Sequence, residues 1–287
     1  MKIIFNEWWY KMEGNLVSTD WLSKHIDDPN IIILDATSDS VHDNNTKTNN
    51  KAYIPGSLFF DLKGKFSDPD SALVHTAPTY DHFRENVRKM GISSDDIVII
   101  YDAKGIHFSP RAWWLFKLMG HEKVFVLDGG LKKWLAEGRH VDIAPKMPKN
   151  NSFWEGAYNK ALIASKEEIL VKCYSDSDTI IDVRSHERFR GAVAEPREGL
   201  RSGHIPNSIN LPFEQLLDGC CYKPSDELKS IFTEKKIDLE SVLYFYCGSG
   251  VTACIALLAA YQCGYKKVCL YDGSWAEWGA IEHLPIE

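Results

Sequence analysis

The residue best placed for chemistry is Cys247, because of the loop it opens: Cys247-Gly248-Ser249-Gly250-Val251-Thr252. The apolar run 242–246 before it reads as a buried strand, and 251–262 after it as a helix. A strand, a loop with two glycines and a helix set the sulfur at the carboxyl edge of a sheet, where open α/β sheets bind ligands. Gly248 and Gly250 let the loop curl so that successive backbone N–H groups converge, making an anion-binding nest with Val251 and Thr252. The helix N-terminus adds partial positive charge. Both effects favour a thiolate over a thiol, and equally a persulfide anion. A buried strand-end cysteine with no chemistry is the plain alternative. Two glycines in one short loop cost backbone entropy that such a residue gives no reason to bear.

A cysteine in a strand–loop–helix cradle also suits phosphate-ester hydrolysis, which calls for an arginine at the far end of the loop to grip the phosphate bidentately. That position is Ala253, and the loop offers Ser249 and Thr252 instead, so a phosphate dianion meets no guanidinium there.

The elements that position this loop belong to a repeat. Ile33-Leu34-Asp35-Ala36 is answered by Ile180-Ile181-Asp182-Val183, and Ile54-Pro55-Gly56-Ser57 by Ile205-Pro206-Asn207-Ser208. Val98-Ile99-Ile100-Tyr101-Asp102 is answered by Leu243-Tyr244-Phe245-Tyr246-Cys247, and Leu127-Asp128-Gly129-Gly130 by Tyr271-Asp272-Gly273-Ser274. The order is kept and only loop lengths differ. Runs 31–34, 98–101 and 124–127 predict buried strands of the first copy; 179–183, 242–246 and 268–271 predict their counterparts. Segments 111–119 and 251–262 predict the strongest helices, each followed by a glycine, Gly120 and Gly264, suited to a helix end. Strands alternating with helices predict an α/β fold in tandem, each copy a mostly parallel sheet flanked by helices. The copies are expected over 14–143 and 159–287, with a linker at 144–158 where Pro145, Pro148 and Asn150-Asn151 break the periodicity. Asp102 stands in the first copy where the second has Cys247. An aspartate cannot do thiolate chemistry, so one copy is expected to be catalytic and the other to support it.

Composition narrows the setting. The 287 residues are 44% hydrophobic and 25% charged, a globular balance long enough for two cores. A formal charge of -7 speaks against nucleic acid as a partner, and no apolar run is long enough to span a membrane. Residues 1–13 lack an uninterrupted apolar stretch with a small-residue cleavage site, so they are not read as a signal peptide. The seven cysteines, all from Cys173 onward, fit reduced thiols and a cytoplasmic location better than a disulfide framework. No CxxC pair occurs and no cysteine meets a histidine at zinc-ligand spacing, so no metal is expected. Cys254, Cys263 and Cys269, with Trp113, Trp114, Trp134, Trp275 and Trp278, read as core. Cys220-Cys221 reads as a loop pair whose direct bridging would be strained.

Ile54-Pro-Gly-Ser-Leu-Phe-Phe-Asp61, Ser109-Pro-Arg-Ala-Trp-Trp114, Gly203-His-Ile-Pro-Asn-Ser208 and Asp272-Gly-Ser-Trp-Ala-Glu-Trp278 together resemble the two-domain rhodanese-like sulfurtransferases. The Cys247 loop is most similar to that of 3-mercaptopyruvate sulfurtransferases; thiosulfate-preferring members carry basic residues in the two positions after the cysteine. Gly248 and Ser249 supply no charge for a thiosulfate dianion, so a keto acid held elsewhere fits better. The resemblance implies a persulfide on Cys247, with 3-mercaptopyruvate or thiosulfate as donor and cyanide, a small thiol or a thioredoxin-like protein as acceptor. No organic cofactor is implied. It places Arg188 and Arg197 at the donor's carboxylate and ketone, chemistry that arginine performs bidentately. Arg184, following Asp182, is expected to tie down the loop. The resemblance also implies a proton relay of Ser249, His75 and Asp68, although Thr76-Ala77 after the histidine departs from the usual larger apolar pair.

Overall fold

A computed structural model of the chain describes residues 14–38, 51–148, 152–175 and 178–287. The N-terminal segment 1–13 lies outside the described residues.

The first domain contains strands β1 (Leu16–Val17), β2 (Ile31–Asp35), β3 (Leu58–Phe59), β4 (Ile97–Tyr101) and β5 (Val124–Leu127). Its helices are α1 (Thr19–His25), α2 (Tyr80–Lys89), α3 (Ser109–Leu118) and α4 (Gly130–Ala136). The second contains β6 (Ile163–Ala164), β7 (Thr179–Asp182), β8 (Ile209–Asn210), β11 (Leu243–Tyr246) and β12 (Val268–Tyr271), with β9 (Leu217–Asp218) and β10 (Cys221–Tyr222) as a small antiparallel pair. Its helices are α5 (Lys166–Lys172), α6 (His186–Phe189), α7 (Ser225–Glu234), α8 (Ala253–Gln262) and α9 (Ser274–Trp278).

The two main sheets run β1-β5-β4-β2-β3 and β6-β12-β11-β7-β8, the same order twice, and every pairing in them is parallel. The repeat extends to side chains. The Tyr101 hydroxyl accepts the Ile54 amide and meets Ser57 Oγ at 3.0 Å; the Tyr246 hydroxyl accepts the Ile205 amide and meets Ser208 Oγ at 3.1 Å. All five residues of β4 are buried, because helices cover both faces of the sheet.

Helices α3 and α8 bury nearly every side chain: all of Ser109–Leu118, and Ala253 through Ala260. A helix apolar all round needs neighbours all round, and these two pack on each other across the domain seam. Their apolar side chains join both domains into one continuous core with Trp113, Trp114, Leu257 and Leu258. The first turns of both helices stand at the sheets' carboxyl edges, so the seam passes beside the Cys247 loop. The expected linker holds no helix or strand among its described residues, yet Trp154 is fully buried there, its indole N–H 3.1 Å from His121 Nδ1. Among the described residues no helix is long and apolar enough to cross a membrane.

Candidate active site

Cys247 follows β11 at the carboxyl edge of the second sheet and is 2% exposed. Its amide donates to Ser274 Oγ and its carbonyl accepts from Trp275, while the Gly248 carbonyl accepts from Ala276; the start of α9 thus pins the loop from behind. Gly250 has φ 78°, and a Cβ there would sit 2.9 Å from the Asp272 carbonyl oxygen, so both backbone and space require glycine.

The first domain shows what such a loop does with an anion. Asp102, fully buried, turns its carboxylate into its own loop. Oδ2 accepts the amides of His107, Phe108 and Ser109 at 2.9–3.0 Å and the Ser109 hydroxyl at 2.8 Å, and Oδ1 accepts the Lys104 amide. The loop of the first domain is thus closed on its own carboxylate. In the second domain the amides of Gly248, Ser249, Gly250, Val251 and Thr252 donate to no protein acceptor among the described residues. This nest is open to a sulfur-centred anion on Cys247.

Both predicted arginines reach the loop. A Cβ on Gly248 would lie 3.1 Å from Arg188 Nη2 and 3.8 Å from Arg197 Nη1, and Arg197 Nη1 donates to the Gly248 carbonyl at 3.3 Å. Glycine at 248 leaves the room that Arg188 occupies, and both guanidiniums stand beside the loop. Arg188 is held by Glu195, a carboxylate 1% exposed, through Nε at 3.1 Å and Nη2 at 2.5 Å. Glu195 also takes Arg184 Nη1 at 2.9 Å. Arg184 is itself buried, forked onto Asp182 and stacked 4.2 Å above Trp275, which is the structural role expected of it. Glu195 stood in a motif noted for its arginine; its own burial was not signalled, because a carboxylate in a charged loop reads as solvent-facing.

The predicted relay is only partly assembled. His75 and Asp68 share one loop, closed by the Asp68 amide on the Thr76 carbonyl at 2.9 Å. The Asp68 carboxylate, however, accepts the Asp70 amide at 3.0 Å and makes no hydrogen bond to the His75 ring. Nor does a hydrogen bond join Ser249 to His75 among the described residues. Instead the charges around His75 are Arg111, Arg197, Lys63 and Asp272. Burial first, then those three cations, hold its pKa down to about 4, while Asp272 opposes them. The ring is neutral near pH 7, able to accept a proton.

Cys254, Cys263 and Cys269 are buried and their thiols are pushed up to about 12, 11 and 12, chiefly by burial, so they stay protonated. The five tryptophans expected in the core are all there. Cys220 and Cys221 lie at the β9–β10 turn, their sulfurs 4.0 Å apart, against Gly105 and Gly129 of the first domain.

Residues 18–137 and 165–281 each match the family described as rhodanese-like domain. The chain belongs to that family. It is 38% identical over 275 residues to 3-mercaptopyruvate sulfurtransferase of Escherichia coli, covering 94% of this chain and 97% of the relative. It is 39% identical over 276 residues to thiosulfate sulfurtransferase of Rattus norvegicus, covering 92% and 91%. In three dimensions it is similar to SseA from Escherichia coli, a crystal structure concerned with 3-mercaptopyruvate sulfotransferases, with TM-score 0.81 and 34% identity over 91% of this chain and 99% of that one. The protein is therefore an enzyme, a sulfurtransferase with two rhodanese-like domains.

Proposed function

We propose that this sulfurtransferase takes sulfur from 3-mercaptopyruvate onto Cys247 and passes it to a thiol or cyanide acceptor. What supports this donor is the pairing of an uncharged nest with two guanidiniums flanking Gly248. The Cys247 thiolate attacks the thiol sulfur, the carbon–sulfur bond breaks, and its electrons leave as the enolate of pyruvate. Arg188 and Arg197 hold the carboxylate and take up charge on the ketone oxygen. The donor's thiol proton travels by Ser249 and neutral His75 to the enolate carbon, giving pyruvate and leaving a persulfide anion on the loop amides. An acceptor thiolate, cyanide or a thioredoxin-like protein then removes the outer sulfur and frees the Cys247 thiolate. Thiols that are all free suit a reducing compartment, and we place the reaction in the cytoplasm.

Mass measurement of reduced protein, incubated separately with 3-mercaptopyruvate and with thiosulfate, tests this. One added sulfur from 3-mercaptopyruvate, with pyruvate released and both lost in Cys247→Ser, is the expected result. A stronger response to thiosulfate would overturn the donor and keep the chemistry. No adduct from either would overturn the reading.

A further inference from the structure

The Cys247 loop and the His75 loop come from different domains, and one ion pair joins them. Arg111, on α3 of the first domain and 1% exposed, stands 2.6 Å through Nη1 from Asp272 Oδ1 of the second domain. Arg111 Nη2 donates to the carbonyl of His75, and Nη1 lies 3.5 Å from the carbonyl of Gly250. The other oxygen of Asp272 accepts the Ala77 amide at 2.7 Å. The pair thus grips the His75 loop at residues 75 and 77 and the sulfur loop at 250. His75 needs such a grip, since its φ of 65° is one that residues with a Cβ rarely adopt.

Hydrogen-bond accounting puts the grip on the backbone: His75 Nδ1 is buried with no hydrogen-bond partner among the described residues, while Asp272 Oδ1 is taken up by its ion pair with Arg111. The bonds from Arg111 and Asp272 to the loop's main chain are what set where the ring stands.

We propose that the Arg111–Asp272 pair, through its bonds to the His75 carbonyl and the Ala77 amide, sets where His75 stands against the Cys247 loop. Asp272 and Arg111 are then positioning residues, acting on proton delivery through His75 and tying it to the register of the two domains. This rests on the reading of Cys247 as the sulfur carrier. The electrostatics agree, because Asp272 is the carboxylate opposing Arg111, Arg197 and Lys63 at the ring.

The test compares wild type with Asp272→Asn, Arg111→Met and the double variant, reading pyruvate release and thermal melting. The expected result for Asp272→Asn is a fall in kcat of about 100-fold, with KM for 3-mercaptopyruvate moved by less than about 3-fold, since Arg188 and Arg197 are untouched. Each single variant leaves a buried charge unpaired and melts lower, whereas the double variant removes both charges. A positioning role predicts that the double variant regains melting temperature but not kcat. A double variant that recovers both, or Asp272→Asn keeping the wild-type kcat, would overturn the proposal. Wild type forming no persulfide from any donor would remove the sulfur-transfer reading, and this proposal with it.

Discussion

A single methyl group at position 248 tests the geometry of the donor site. In Gly248→Ala the added Cβ would stand 3.1 Å from Arg188 Nη2, closer than nearly all real contacts, and 3.8 Å from Arg197 Nη1. The backbone at 248 is not among the positive-φ glycines, so the strain is purely one of space. Arg188 cannot simply swing away, because two hydrogen bonds fix it to Glu195, itself 1% exposed and shared with Arg184. The guanidinium must shift by a few tenths of an ångström, and overpacking of this kind costs about 1–2 kcal/mol. At 1.4 kcal/mol per tenfold, that converts to a loss of roughly 5- to 30-fold in kcat/KM for 3-mercaptopyruvate. The loss should fall on both constants, because the arginines hold the donor's carboxylate and also take up the charge that develops on its ketone oxygen. Steady-state pyruvate release over a range of donor concentrations reads both constants, with melting temperature as the control for folding. An unchanged kcat/KM in a folded variant would refute the reasoning: Arg188 would then be either free to yield or not at the donor.

Two other outcomes follow from the same geometry. Asp102→Ala should lower stability by several kcal/mol, on the order of 1–3 kcal/mol for each buried amide left without its acceptor, and denaturant unfolding checks it. An unchanged midpoint would mean that the loop relaxes without its anion. Stability should also decline as pH falls. His75 and His121 both have pKa values lowered from 6.5 to about 4, so the unfolded chain binds their protons first. Their contribution is present above about pH 6.5 and is lost as pH drops toward 4, and His121→Gln should flatten that slope in denaturant titrations from pH 7 to 4.

What the sequence determined by itself was local. Apolar runs bounded by turn residues marked β2, β4, β5, β7, β11 and β12 to within one residue at either end, since a strand buried on both faces needs an unbroken apolar stretch. The repeat marked out the two domains and singled out Cys247 by its contrast with Asp102, because two copies of one fold put a thiol and a carboxylate at the same strand end. The arginines followed from resemblance, as nothing in the spacing of a charged loop says which guanidinium turns inward. Tertiary structure alone decided the rest. Glu195 became the buried hub of Arg184 and Arg188 only once the loop closed on the sheet. The ion pair that ties the His75 loop to the Cys247 loop could not be read from residues near either, because Arg111 and Asp272 come from different domains. A hydrogen bond within one loop leaves a short-range trace in sequence. An ion pair across a domain seam depends on how α3 meets α8, and that packing is set by side-chain shape summed over both cores.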